Sequence, residues 1–79
     1  MVTSESIEQS IRAGIECEHV EIRGDGRHFE ALIVSHAFGG LPRVRRHQLV
    51  YAALGDRMRE EVHALSMRTL TPDEWNARG

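Results

Sequence analysis

The chain has 79 residues, a mass of 9.0 kDa and a formal net charge of −2, with 41% hydrophobic and 28% charged residues. This length suffices for one domain with a small core. The near-balanced charge argues against a protein that coats polyanions without specificity. The single cysteine excludes an internal disulfide and any metal site built from four cysteines. Apolar runs fall well short of the roughly 18 residues of a membrane span, and the polar N-terminus is unlike a signal peptide. We therefore expect one cytoplasmic domain over residues 1–79.

The first half of the chain predicts one helix and a β-hairpin. Residues 20–23 alternate apolar with charged side chains, which is typical of a half-buried strand. The Gly/Asp cluster at residues 24–26 indicates a tight turn, and Phe29–Val34 predicts the returning strand. The helix before them is predicted by a hydroxyl cap followed by isoleucines at four-residue steps: Thr3, Ile7, Ile11 and Ile15.

The second half predicts helices around a third strand. Arg43–Leu54 has apolar residues at four-residue steps, and a short helical turn is expected over residues 56–61. A strand with period-two alternation is predicted from His63. Residues 71–74 have the form of a capping box with proline at the first helical position. Trp75 is expected to lie on that last helix and pack against the sheet.

This order of elements predicts an α+β fold with two layers. A hairpin followed by a helical crossover places the third strand parallel to the second, which gives a three-stranded mixed sheet. Phe29–Val34 is apolar on both faces except at Glu30, so it should be the central strand. The order is helix, strand, strand, helix, helix, strand, helix, which is the layout of a small class II KH-like domain.

The candidates for chemistry are Cys17 and five histidines, at positions 19, 28, 36, 47 and 63. The sequence has no recognisable nucleophile–base arrangement, phosphate loop or dinucleotide motif, which disfavours an enzyme. His28 and His63 each precede a predicted strand, so parallel strands would bring both imidazoles to one end of the sheet. They could ligate a metal, and packing or solvent exposure is the alternative. Cys17 is expected to be a small buried side chain, and His19 to point to solvent.

Basic residues are concentrated in one segment. Residues 41–59 hold five arginines against one acid, whereas residues 1–30 hold seven acids against three arginines. The arginines of segment 43–59 could contact nucleic-acid phosphates. Duplex DNA is the expected ligand, because the chain has no GXXG loop to clamp a single strand and only 5% aromatic residues on which bases could stack. The alternatives are a solvated helix face and a surface for an acidic partner protein. The candidate nucleic-acid-binding residues are Arg43, Arg45, Arg46 and His47, with Arg57 and Arg59 further along.

Five short segments together resemble the BolA family, and their order and spacing are more specific than any one of them. They are GDGRHF at 24–29, VSHAFGG at 34–40, RHQLVYAAL at 46–54, HALSM at 63–67 and TPDEW at 71–75. The resemblance extends from about Ile7 to Trp75. The short hairpin loop is similar to that of the IbaG (YrbA) branch, since the loop of BolA proper is longer.

The resemblance implies a KH-like fold, a monothiol glutaredoxin partner and a [2Fe–2S] cluster bridged between the two proteins. The glutaredoxin supplies a cysteine thiolate and its bound glutathione another. His63 corresponds to the BolA-family histidine ligand, and the second ligand comes from the loop between the first two strands. Residues 23–27 contain neither Cys nor His, so His28 is the nearest second ligand and Asp25 the fallback. Cys17 lies outside that loop and takes no such role.

The ligand count agrees with a shared cluster. A [2Fe–2S] cluster needs four ligands, and imidazole can replace thiolate on one iron. One cysteine and a few histidines cannot close such a site alone, so no cofactor is expected in the isolated chain. The family is also linked to transcriptional control of stress responses and cell shape, which keeps DNA as the alternative ligand.

Overall fold

The computed structural model describes residues 2–58 and 64–78, which form an α+β fold as predicted. Two short 3-10 helices accompany the main elements, at His36–Phe38 and Gly55–Met58. Among the described residues, no helix has the length and apolar character needed to cross a membrane. The helices are α1 (Ser4–Gly14), α2 (Arg43–Leu54) and α3 (Pro72–Ala77), and the strands are β1 (His19–Gly24), β2 (Phe29–Val34) and β3 (Leu65–Leu70).

The three strands form one mixed sheet in the order β1-β2-β3. β1 and β2 are antiparallel and pair Gly24 with Phe29, next to the hairpin loop. β2 and β3 are parallel and pair Phe29 with Leu65. The predicted central position of β2 and the parallel crossover are therefore both confirmed. Since parallel strands begin at the same end of the sheet, His28 and Ala64 lie at a common end.

The core lies between the sheet and the first two helices. Ile7 and Ile11 on α1 and Val50 and Leu54 on α2 are all buried, as their four-residue spacing predicts. They pack with the inward-facing residues of the sheet, which alternate along each strand: Val20 on β1, Phe29, Ala31 and Ile33 on β2, and Leu65 on β3.

Local capping fixes the helix starts on either side of the sheet. The Thr3 hydroxyl accepts a hydrogen bond from the N–H of Ser6 at 3.0 Å, which begins α1. In α3 the Thr71 hydroxyl accepts from the N–H of Glu74 at 3.1 Å, and the Glu74 carboxylate accepts from the N–H of Thr71 at 2.8 Å. The predicted capping box is therefore confirmed, with Pro72 at the first helical position.

α3 packs on the outer face of the sheet, where it covers part of β1. The Trp75 ring stacks on the His19 imidazole with 5.1 Å between ring centroids, and the Arg78 guanidinium lies 3.5 Å from the Trp75 centroid. His19 points away from the core as predicted and its side chain is 42% exposed, while the Trp75 ring covers part of its imidazole. Trp75 packs back on the sheet as expected.

The basic segment 43–59 is not one continuous helix. α2 ends at Leu54, where Gly55 adopts a φ of +61°, and a separate 3-10 helix follows over Gly55–Met58. The expected helical turn at 56–61 thus begins as a 3-10 helix, and its remainder lies outside the described residues. Arg59 also lies outside them.

Candidate functional site

The hairpin loop between β1 and β2 is organised by one carboxylate. The Asp25 Oδ1 atom accepts hydrogen bonds from the N–H groups of Arg27 and His28, both at 2.8 Å. The N–H of Asp25 donates to the carbonyl of His28 at 3.2 Å. The side chain thus takes the acceptor role that a backbone carbonyl has in an ordinary tight turn. This loop holds the backbone of His28 in place directly before β2.

Two glycines allow the chain to turn this closely. Gly26 has a φ of +92°, a conformation that residues with a side chain rarely adopt. At Gly24, an added Cβ would lie 2.4 Å from the ring of Phe29 and 2.8 Å from the carbonyl oxygen of His28. Because a backbone oxygen cannot move aside independently, a larger residue there would displace the start of β2.

The hydrogen bonds in this loop also keep Asp25 ionised. The N–H of His28, and then that of Arg27, lower the pKa of the Asp25 carboxyl below its ordinary value, because both donate to the charged form. The predicted fallback ligand therefore already serves as a hydrogen-bond acceptor through Oδ1. These contacts position the loop, and the role of Asp25 as a fallback ligand stays a prediction.

A shallow pocket of about 330 Å³ lies between the hairpin loop and the start of β3. His28 is exposed at this pocket, and it directly precedes Phe29, whose partner Leu65 directly follows Ala64. Neighbouring strands are about 4.8 Å apart, so the two chain segments meet here. The other predicted ligand, His63, precedes Ala64 in sequence and lies outside the described residues. The pocket is lined by residues of both segments: Gly24, Asp25, His28, Phe29, Ala64 and Ser66.

Few metal-ligating side chains lie together in the part of the chain that the structure describes. His28 supplies one imidazole at this end, and the described residues contain no group of three or more His, Cys, Asp or Glu placed to hold a metal ion. Cys17 precedes β1, at the end of the sheet opposite to the hairpin loop, and six residues at about 3.3 Å each separate the two ends. Its thiol donates to the carbonyl of Ile15, and burial raises its pKa, which disfavours the thiolate.

The four predicted nucleic-acid-binding residues do not share one environment. The Arg46 side chain is only 14% exposed, and its guanidinium contacts Glu74 at 2.6 and 3.2 Å. It also donates to the carbonyl of Leu41 at 2.8 Å and to that of Thr69 at 3.0 Å. Together with Thr71, Arg46 lowers the pKa of Glu74 to about 2. Arg46 therefore joins α2 to β3 and α3 within the protein.

Arg43 and Arg45 form the exposed part of the basic surface. Both lie in the first turn of α2, where Pro42 is the N-cap and no acidic residue balances the positive end of the helix. His47 is half-buried, and burial first and Arg43 second lower its pKa, so its neutral form is favoured. The side chain of Arg57 and all of Arg59 lie outside the described residues.

Sequence patterns missed the internal role of Arg46 and a groove beside it. This groove, of about 570 Å³, separates the first half of α2 from β3. The one signal in the sequence was the capping box, which places the Glu74 carboxylate beside the end of β3. Patterns of local spacing could not connect that carboxylate with an arginine 28 residues earlier in the chain.

Known proteins with similar sequences and structures share this architecture. The chain is 38% identical over 60 residues to the DNA-binding transcriptional regulator BolA of Haemophilus influenzae, a match that covers 76% of this chain and 58% of that protein. It is 33% identical over 70 residues to the acid stress protein IbaG of Escherichia coli, covering 87% of this chain and 83% of that protein. The solved structure of a BolA homologue from Coxiella burnetii superposes with a TM-score of 0.83 at 45% identity, covering 96% and 99% of the two chains.

The match to the family as a whole covers nearly the entire chain. A sequence model described as "BolA-like protein" matches residues 2–74, which include the hairpin loop, α2 and β3. This agrees with the resemblance carried by the five short segments. The chain belongs to the BolA-like protein family.

Proposed function

We propose that this protein is a partner of a monothiol glutaredoxin and shares a bridged [2Fe–2S] cluster with it. In this role it acts in cytoplasmic iron–sulfur cluster trafficking and iron homeostasis, as a binding protein rather than an enzyme. The observation that carries the proposal is the position of His28, whose backbone the Asp25 turn holds at the end of the sheet where β3 also begins.

The donor chemistry supports a shared cluster at this end. An imidazole can replace thiolate on one iron of a [2Fe–2S] cluster, as in Rieske centres, while four ligands are needed in all. His63 and His28 would contribute from this chain, and the glutaredoxin cysteine and glutathione would contribute the thiolates. When bound, the cluster would be held jointly by the two proteins and could be transferred to a recipient protein. The exposure of His28 leaves its imidazole accessible to a partner protein.

Anaerobic reconstitution with a monothiol glutaredoxin and glutathione tests this proposal by visible circular dichroism. His63→Ala should abolish the cluster spectrum or change it, and His28→Ala should have a similar but smaller effect. The heterodimer without cluster should survive both changes in size-exclusion chromatography, because one imidazole is a small part of a protein interface.

Two variants serve as controls in the same experiment. Cys17→Ser should leave the spectrum unchanged, since the thiol lies at the opposite end of the sheet. His36→Ala removes an exposed imidazole that pairs with Glu18 beyond the other end of β2, and it should also leave the spectrum unchanged. A normal spectrum from His63→Ala, or loss of the spectrum in Cys17→Ser, would contradict the proposed ligands.

A second candidate function is that of a DNA-binding transcriptional regulator of stress response and cell morphology. It is favoured by Arg43 and Arg45, which are exposed at the start of α2 and make no ion pair with another described residue. The relative from Haemophilus influenzae is named as a DNA-binding transcriptional regulator. Charges at this end of a helix are well placed to meet phosphates.

Salt-dependent binding to duplex DNA tests the second candidate. Changing Arg43 and Arg45 together to Ala should reduce the slope of log K against log salt by about 0.9 for each phosphate contact that is lost. Arg46 is left unchanged, because its guanidinium is bound to Glu74 and its loss would disturb the fold. Absence of wild-type binding even at low salt would remove this candidate.

A further inference from the structure

β3 is an edge strand, and part of its backbone faces away from the sheet. The carbonyl of Leu70 accepts from the N–H of Ser35, the residue directly after β2, at 2.9 Å, so it points toward β2. Peptide groups alternate in direction along a strand. The N–H and C=O groups of Met67 and Thr69 therefore point to the open edge. The bond from Arg46 to the Thr69 carbonyl, at 3.0 Å, agrees with this orientation.

The open edge of β3 lies along the groove of about 570 Å³ that separates β3 from α2. At one end of the groove, the Arg46 guanidinium donates a hydrogen bond to the Thr69 carbonyl. The backbone groups of Met67 and the N–H of Thr69 have no hydrogen-bond partner among the described residues. An extended segment from another molecule could pair with them as a fourth strand.

The two faces of this edge differ in chemistry. Met67 is half-buried and packs against the core, with Leu41 and His47 on the same groove. Arg68 points to the opposite face, is exposed, and makes no ion pair with another described residue. Because side chains alternate along an added strand, one set would enter the groove beside Leu41 and Met67, and the other set would lie beside Arg68.

The charge at the groove favours an acidic occupant. Arg43 and Arg68 both border it, and the one acidic residue among its described lining residues, Glu74, is already paired with Arg46. The lowered pKa of His47, caused in part by Arg43, is consistent with this positive potential. A second copy of the chain would bring the same arginines to the contact, so its like charges would oppose pairing.

We propose that the open edge of β3 binds an extended acidic segment of a partner protein by strand addition. The bound segment carries apolar side chains at alternate positions, which enter the groove, and acidic side chains between them, which contact Arg68. This surface is separate from the hairpin loop and does not depend on the bound cluster.

A capped peptide with alternating Val and Glu, six residues long, tests the proposal by titration into ¹⁵N-labelled protein. The amides of Met67 and Thr69 should shift and become protected from hydrogen exchange, and the matching Val and Lys peptide should bind more weakly. Arg68→Glu should reverse this preference. Arg27→Glu makes the same change of charge on the exposed hairpin loop and should keep the preference for the acidic peptide.

Two N-methylated versions of the acidic peptide test strand addition itself. Only alternate N–H groups of an added strand face β3, so methylation of one alternating set should weaken binding about tenfold or more, while methylation of the other set should not. Equal binding of both versions, or no shift at Met67 and Thr69, would overturn the proposal. So would protection of the same amides by self-association at high protein concentration, or stronger perturbation of them by duplex DNA than by the peptide.

Discussion

Asp25 determines the conformation of the hairpin loop through one oxygen atom, which accepts from two backbone N–H groups. Asp25→Ala leaves both groups without this acceptor, so we expect faster hydrogen exchange at the His28 amide and a less stable cluster in the glutaredoxin complex. Asp25→Asn keeps a carbonyl oxygen at the same position and should have a smaller effect on both. Hydrogen exchange by NMR and visible circular dichroism measure the two quantities.

The same pair of variants separates a positioning role from ligation. An amide oxygen can still accept hydrogen bonds, whereas it is a poor replacement for a carboxylate bound to iron. If Asp25→Asn removed the cluster as fully as His63→Ala while the His28 amide kept its protection, Asp25 would be a ligand instead.

Individual residues were predictable where their role depends on near neighbours in sequence. The Gly/Asp turn and the strand after it place His28 at a strand start, and both are legible in six consecutive residues. The contacts of Arg46 and His19 were not predictable, since their partners Glu74 and Trp75 come from the last helix. Nothing in an alternating or four-residue pattern specifies which distant side chain will cover a surface.

At the scale of elements, the Arg46–Glu74 ion pair joins α2 to α3 and makes stability depend on acidity. The pKa of Glu74 is lowered from 4.5 to about 2 in the folded protein. The pair therefore stabilises the fold fully above pH 4.5, and this contribution is lost as the pH falls toward 2. As the pH falls from 4.5 toward 2, the melting temperature of Glu74→Gln should decrease less than that of the wild type. Parallel pH profiles for the two proteins would contradict this.

Arg46 itself should be less replaceable than either exposed arginine of α2. Arg46→Ala leaves two backbone carbonyls and the Glu74 carboxylate without their donor, at a cost of about 1–3 kcal/mol in the free energy of unfolding. Arg46→Lys should recover little of this free energy of unfolding, because an ammonium cannot form the two-pronged contact that a guanidinium makes with a carboxylate. Chemical denaturation measures both. A matched Arg45→Ala change at the exposed surface should cost less than about 0.5 kcal/mol.

Local sequence signals predicted the limits of the helices and strands better than they predicted how these elements pack together. β2 and α2 have the predicted limits, because apolar spacing and flanking glycines or proline mark both ends. α3 begins where its capping box predicts. α2 also ends at Leu54 as predicted, because Gly55 adopts a positive φ there, and the basic segment continues as a separate 3-10 helix.

For the molecule as a whole, connectivity rules predicted the sheet order. A hairpin followed by a helical crossover allows few arrangements, and an apolar central strand selects among them. The groove beside β3 was not predictable, because its size depends on how far α2 stands from the sheet edge, which is set by core packing rather than by any local pattern.

The parallel pairing of β2 with β3 also has a consequence for the order of folding. β1 and β2 are neighbours in sequence, whereas Phe29 meets Leu65 only after α2 has crossed between them. Contacts that close a long loop cost more chain entropy and form more slowly. Pulse-labelling of amides during refolding should therefore find the β1–β2 hairpin protected before the groups that β3 donates to β2. An early intermediate would then contain His28 in its finished turn, with the second strand of the site still absent.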